Sequence, residues 1–177
     1  VRGKTEVLKS PFVLLRLIPP TLALTFFMVF STCLEKGKSH AAPLDFSLKT
    51  IEGEEVCLKD YRGKKMVHLL LWAAWCPHCL IEIPKLNKLY QAIGDRPYEI
   101  LVIDVAPSDS LKRIKKIQEQ YRIPCKVIFD KEGKVVKSCG VVGVPLHIVI
   151  DKEGVEKNRF NELPDDPITY FNLIFPR

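Results

Sequence analysis

The stretch that most constrains this chain is a nearly continuous apolar run, Val67-His68-Leu69-Leu70-Leu71-Trp72. It passes through Ala73-Ala74-Trp75 straight into Cys76-Pro77-His78-Cys79 and then into a helical pattern. Such a run suits a strand covered on both faces. Beyond it, Cys79, Ile83, Leu86, Tyr90 and Ile93 recur at spacings of three or four, which predicts a helix with one buried stripe. Pro77 fits the first helical position, where a missing N–H is no loss. Pro84 removes the hydrogen bond to the Leu80 carbonyl and predicts a kink.

The rest of the chain alternates in the same way. Leu44, Phe46 and Leu48, then Val56 and Leu58, alternate on either side of a Gly53 turn and predict a hairpin. Ile100-Leu101-Val102-Ile103 reads as a second buried strand. Ser108 or Asp109 is placed to cap a helix carrying Leu111, Ile114, Ile117 and Tyr121. Val127-Ile128-Phe129 is a short strand, and Val135-Val136 lies in a short helix or turn after Gly133. Leu146-Ile148-Ile150 pairs across the Asp151–Gly154 turn with Val155 to Phe160. Ile168, Phe171, Leu173 and Ile174 suit a last packed helix. Strands alternating with helices and ending in a hairpin predict an α/β sandwich with a mixed central sheet.

The chemistry-bearing feature is the cysteine pair at a strand-to-helix junction. A thiol attacks a disulfide as its thiolate, and unpaired N–H groups at a helix N-terminus favour that anion. Cys76 stands at such a terminus and Cys79 one turn further in. The arrangement suits Cys76 as nucleophile and Cys79 as the resolving thiol, with no cofactor beyond a redox-active Cys76–Cys79 disulfide. Taken alone, a single CxxC also fits half of a metal site or two inert cysteines. There are six cysteines, but neither a second CxxC nor a His-x-x-x-His spacing, so no metal ligand set is assigned.

Charge bears on partners and compartment. The net charge is +6, yet residues 1–42 carry six basic residues against two acidic ones and so account for +4 of it. What is left gives no reason to expect nucleic-acid binding. Basic residues through Arg16 precede the apolar stretch from Leu17 to Phe30, which reads, over residues 1–34, as a signal peptide or N-terminal membrane anchor. Cleavage near Ser39-His40-Ala41, an uncleaved tether, and a lipid-acceptor role for Cys33 stay open. Residues 35–42 suit a linker, and residues 43–177 the folded domain.

The segment Trp72-Ala73-Ala74-Trp75-Cys76-Pro77-His78-Cys79-Leu80-Ile81-Glu82-Ile83-Pro84 resembles the active-site segment of the exported TlpA/ResA-type thioredoxins, relatives of the AhpC/TSA redoxins. Phe46-Ser47-Leu48 with Val56-Cys57-Leu58 is similar to their N-terminal hairpin. Ile123 through Val141 is similar to their central insertion, and Gly143-Val144-Pro145 with Ile148–Asp151 to their cis-proline strand. The resemblance spans residues 44–160 and implies a thioredoxin fold, a three-layer α/β/α sandwich.

The same resemblance implies a cis Val144-Pro145 bond facing the cysteines, and a substrate surface of Trp75, Pro77, His78, Val144 and Pro145. It implies a functional Glu82, whose pKa should rise if the side chain is partly buried so that it can relay a proton to or from Cys79; a solvated surface glutamate is the alternative. Protein disulfide or dithiol substrates follow, with electrons from a membrane carrier of DsbD/CcdA type, in the periplasm or on the outer face of the cytoplasmic membrane. Cytochrome c maturation is the associated process.

Departures from the family pattern qualify this expectation. Plain thioredoxin has a buried Asp six residues before the nucleophile, where this chain has Leu70. His147 replaces a threonine and reads as a packed or surface residue. Pro77-His78 matches the DsbA oxidases, leaving a dithiol oxidase as the alternative to a reductase, and a metal-carrying module as the non-enzymatic one. Ala73 stands where peroxiredoxins need threonine. Cys125 and Cys139, both in the insertion, are candidates for a second disulfide, and Cys57 reads as inert.

Overall fold

The computed structural model describes residues 44–174, and the expectations for residues 1–42, Cys33 included, lie outside them. The elements run β1 (Ser47–Lys49), β2 (Glu55–Cys57), a 3₁₀ turn (Leu58–Tyr61), β3 (Met66–Trp72) and α1 (Pro77–Ile93). They continue with β4 (Tyr98–Asp104), α2 (Leu111–Tyr121), β5 (Lys126–Phe129), α3 (Lys134–Cys139), β6 (Leu146–Ile150), β7 (Glu156–Phe160) and α4 (Pro167–Ile174). The five-stranded sheet is ordered β5-β4-β3-β6-β7. Its first three strands are parallel, and β6 and β7 add antiparallel neighbours. β1 and β2 pair separately as the expected hairpin.

The apolar run places β3 at the centre of this sheet. Leu69, Leu70 and Leu71 are completely buried, each contributing about 2 kcal/mol of apolar burial. Alternate side chains divide between two cores. Leu70 and Trp72 pack with Cys79, Ile83, Leu86, Leu89 and Ile93 of α1, Ile114 of α2 and Phe171 of α4. Val67, Leu69 and Leu71 pack with Phe46, Val56 and Leu58 of the hairpin side and with Val135 and Cys139 of α3. Helices therefore cover both faces of the sheet, and the α/β/α layering stands.

Several local expectations are corrected. The buried stripe of α1 uses Leu89 where Tyr90 was expected; Tyr90 is exposed. Ser110 caps α2, its hydroxyl accepting from Arg113 N, because the Asp109 carboxylate turns inward. In α4 Phe171 packs inward, whereas Ile168 and Leu173 face out. Cys125 and Cys139 are both free thiols and belong to the two different cores, on opposite sides of the sheet, so the suggested second disulfide does not form. Among the described residues no helix is long and apolar enough to cross a membrane.

Candidate functional site

Strand β3 ends at Trp72, and Ala73-Ala74-Trp75 turns the chain into α1. The Cys76 N–H donates to the Ala73 carbonyl at 3.0 Å, closing this turn. Cys76 is then the N-cap of α1, its Sγ accepting from Cys79 N at 3.3 Å with Pro77 in the first turn. A helix N-terminus thus supplies a donor to the Cys76 sulfur. The Val144-Pro145 peptide is cis, and the Val144 carbonyl lies 3.9 Å from Cys76 Sγ. Pro145 is held from behind by Asn161, whose amide donates to the Pro145 carbonyl at 2.9 Å.

Of the five residues expected to form a substrate surface, Pro145 is buried. Trp75, Pro77 and His78 are exposed and Val144 half-buried, while Cys76 is reached only at its edge. Cys79 is wholly buried. Burial, then its hydrogen bond with Cys76, pushes its thiol far above the ordinary range, and the charge of Asp104 adds to this.

Glu82 is brought into the core one turn beyond Cys79 and is only 2% exposed, so the surface alternative fails. Its Oε2 accepts from Leu163 N at 2.6 Å and lies 3.3 Å from His147 Nε2, while Oε1 lies 3.4 Å from Lys85 Nζ. The expected rise in pKa is overturned. Burial does push the carboxyl up, but His147, the Leu163 N–H and Lys85 together hold it below the usual carboxylate value. A buried Glu with this many donors is a carboxylate.

Four further titratable groups around the site were not legible as such. His147 follows Pro145 by two residues and is buried against Glu82, with His68 of β3 behind it. Asp104 closes β4 and Asp109 precedes α2, and both carboxylates accept from Ala74 N at 2.9 Å. The available signal was a charged residue ending the apolar run Ile100–Ile103, beside Trp72 in register. Where plain thioredoxin buries an Asp on the central strand, this chain has Leu70 in the core and brings its carboxyl from the neighbouring strand. Among the described residues no group of three His, Cys, Asp or Glu side chains is arranged to hold a metal ion.

A central mixed sheet, a CxxC pair at a helix N-terminus and a cis-proline facing it define the chain as a thioredoxin-fold thiol–disulfide oxidoreductase. It belongs to the AhpC/TSA family, which it matches over residues 39–157, and within that to the ResA-like thioredoxins. Over 142 residues it is 30% identical to the thiol-disulfide oxidoreductase ResA of Bacillus thuringiensis subsp. konkukian, covering 80% of each chain. It is 33% identical over 145 residues to ResA of Geobacillus kaustophilus, covering 82% of this chain and 79% of that one.

Solved structures agree on the fold. The thioredoxin domain of a thiol-disulfide oxidoreductase from Bacteroides vulgatus superposes with a TM-score of 0.66 at 24% identity, over 75% of this chain and 94% of that one. The pneumococcal exposed lipoprotein thioredoxin of Streptococcus pneumoniae gives 0.62 at 27% identity, over 73% and 98%.

Proposed function

We propose that the protein is an exported disulfide reductase of ResA type, in which Cys76 attacks a substrate disulfide and Cys79 resolves the resulting mixed disulfide. The observation that carries this reading is the Cys76 sulfur at the N-cap of α1, accepting from Cys79 N beside the cis Val144-Pro145 peptide. A helix terminus favours the attacking thiolate. The exposed Trp75, Pro77 and His78 with the half-buried Val144 offer a substrate peptide a partly apolar surface around that sulfur. The buried Cys79, kept as a thiol, stays in reserve until the mixed disulfide has formed.

Proteins with disulfides are the substrate class, and oxidised Cys76–Cys79 would be re-reduced by a membrane carrier of DsbD/CcdA type. Apocytochrome c is the substrate we favour, with the domain in the periplasm or on the outer face of the cytoplasmic membrane. The exposed lipoprotein thioredoxin of Streptococcus pneumoniae, named as such, supports a placement outside the cytoplasm. The Pro77-His78 dipeptide between the cysteines supports the second reading, a dithiol oxidase, because a first-turn side chain that favours the Cys76 thiolate stabilises the reduced pair.

The test is dithiol-dependent reduction of insulin, abolished in Cys76→Ser, together with the reduction potential of the pair. A value near the potential of thioredoxin, about −270 mV, supports the reductase, and one near that of DsbA, about −120 mV, the oxidase. Bound copper or zinc retained on purification, with no insulin reduction, would point to a metal-carrying module. Activity surviving in Cys76→Ser would remove Cys76 as the nucleophile.

A further inference from the structure

Behind the redox pair lies a second, fully internal constellation. The Ala74 N–H, two residues before Cys76, points between two carboxylates and donates to Asp104 Oδ2 and Asp109 Oδ2, both at 2.9 Å. Two acceptors of one N–H at that distance are close neighbours. Both side chains are sealed from water. Asp104 Oδ1 also accepts from Ala106 N at 3.0 Å, and Asp109 Oδ1 is paired with Arg113 at 3.0 Å. Arg113 therefore balances one of the two charges.

The other groups around Asp104 do not neutralise it. On the α1 side Cys79 packs in the same buried cluster as Trp72 and Ala74, the residue whose N–H Asp104 accepts, and the Asp104 charge is felt at its thiol. Asp130, whose N–H donates to the Asp104 carbonyl, turns its own carboxylate to the first turn of α3, accepting from Lys134 N, Val135 N and Val136 N. Along the strands Asp104 is flanked in register by Trp72 and Phe129, which carry no charge. With Arg113 paired to Asp109, Asp104 is the carboxyl left without a cation, and a like charge in contact with it discourages its ionisation.

We propose that Asp104, set against Asp109, is a proton switch behind the resolving thiol: while Asp104 holds its proton Cys79 ionises more readily, and once Asp104 loses it the added charge holds Cys79 more firmly as a thiol. This rests on Cys79 being the resolving thiol. The step it governs is balanced by the substrate. Cys79 loses its proton to solvent, and its thiolate attacks Cys76 Sγ in the mixed disulfide. The Cys76–substrate S–S bond breaks as the Cys76–Cys79 bond forms. The electron pair leaves on the substrate sulfur, which takes up a proton, so the substrate disulfide is reduced and the dithiol oxidised.

Both aspartates are positioning residues, acting by charge rather than by contact with the reacting sulfurs. Burial, opposed by the Ala106 and Ala74 N–H groups and reinforced by Asp109, raises the Asp104 carboxyl to about 7, which puts the switch near neutral pH.

The experiment uses the full chain carrying a thionitrobenzoate mixed disulfide at Cys76 and follows release of the thionitrobenzoate anion against pH. In the wild type the logarithm of the rate should rise with pH and bend downward near pH 7. In Asp104→Asn the bend disappears: the two proteins agree at pH 6, and the variant is faster at pH 8.5, by roughly threefold for each unit by which the lost charge had raised the Cys79 pKa. Asp109→Asn keeps a bend but moves it to lower pH, and Asp104→Glu restores it. A bend unchanged in Asp104→Asn, or a variant slower than wild type above pH 7, overturns the switch.

If the wild type releases no thionitrobenzoate and reduces no insulin, the proposed function has failed instead. The pair is then decided by a carboxyl ¹³C titration of the reduced wild type and Asp109→Asn. An Asp104 inflection near 7 that falls on losing Asp109 supports the switch, and one in the ordinary carboxylate range refutes it.

Discussion

His68 Nε2 lies 2.9 Å from His147 Nδ1, in a part of the core where both rings are closed off from solvent. His147 in turn reaches Glu82, its Nε2 3.3 Å from Oε2 but off the line of a well-formed hydrogen bond. The arrangement fixes tautomers. His68 Nε2–H donates to His147 Nδ1, His147 carries its proton on Nε2 toward the carboxylate, and His68 Nδ1 is left buried without a partner. Phe160 stacks on the His147 ring, with centroids 5.0 Å apart, and holds it in place.

Both histidines should therefore make the fold sensitive to acid. Burial lowers the pKa of each, with His147 adding to the effect at His68 and Glu82 only partly opposing it at His147. Below the unfolded-state pKa, about 6.5, the unfolded chain takes up protons that the folded one refuses. Stability then falls with decreasing pH, by about 1.4 kcal/mol per pH unit for each histidine that stays neutral. Urea midpoints of wild type and His68→Leu should converge as pH drops from 7.5 to 5. A constant difference between them would show that His68 is not neutral in the fold.

The scaffold was legible in the sequence because its signals are local and periodic. Val67–Trp72, the CxxC after it and the alternating runs of β6 and the hairpin each announce an element by spacing alone. Of the carboxylates and imidazoles around the pair only Glu82 was singled out, by resemblance, and the partners that surround it were not, for a physical reason. Glu82, His147, His68, Asp104 and Asp109 sit on five different segments, and each looks unremarkable until the sheet brings it against the others. The error over Glu82 has the same origin. Burial alone raises a carboxyl, but His147 and the Leu163 N–H, 81 residues away, together reverse the outcome. Tyr90 was misplaced more simply, since Leu89 fits the same stripe equally well.

Glu82 should matter for stability as well as for chemistry. Glu82→Ala removes the acceptor of a buried N–H at Leu163 and the partner of His147, and each orphaned donor costs about 1–3 kcal/mol. A loss of about 3 kcal/mol is expected in urea unfolding. Glu82→Gln keeps an oxygen for Leu163 N and should lose about 1 kcal/mol. Equal losses in the two variants would mean that the charge, not the Leu163 bond, dominates.

The cysteines outside the motif should differ in reactivity toward iodoacetamide. Burial, with a small push from Glu99, raises the Cys125 thiol to about 12. Burial also raises Cys139 to about 11, against the opposing pull of Ser138 and Arg159. Cys57 is only half-buried, its thiol donating to Ser47 Oγ at 3.2 Å. At pH 8 in native buffer Cys57 should be alkylated well before Cys125 and Cys139, because thiolate and access are both needed. After mild oxidation, non-reducing peptide mapping should recover Cys125 and Cys139 as free thiols. A peptide linking the two would contradict their separation by the sheet.

Asp104 gives a stability effect of the opposite sign to the histidines. Its folded-state pKa of about 7 exceeds that of an unfolded aspartate, about 3.9, so the folded chain binds the extra proton. That contribution is complete below pH 4 and is lost as pH rises toward and through 7, with a ceiling of about 4 kcal/mol. Asp104→Asn keeps an oxygen for Ala74 N or Ala106 N and offers an amide to Asp109, without the second charge. The variant should be close to wild type in stability at pH 4 and more stable at pH 8, by about 1–3 kcal/mol after relaxation of the site. Denaturation at the two pH values decides it. A variant destabilised equally at both would mean that the Asp104 carboxylate is needed as an acceptor and that its charge is no burden. A gain confined to alkaline pH would show a chain that keeps a buried charge beside its cysteines at the expense of its own stability, as a residue retained for chemistry should.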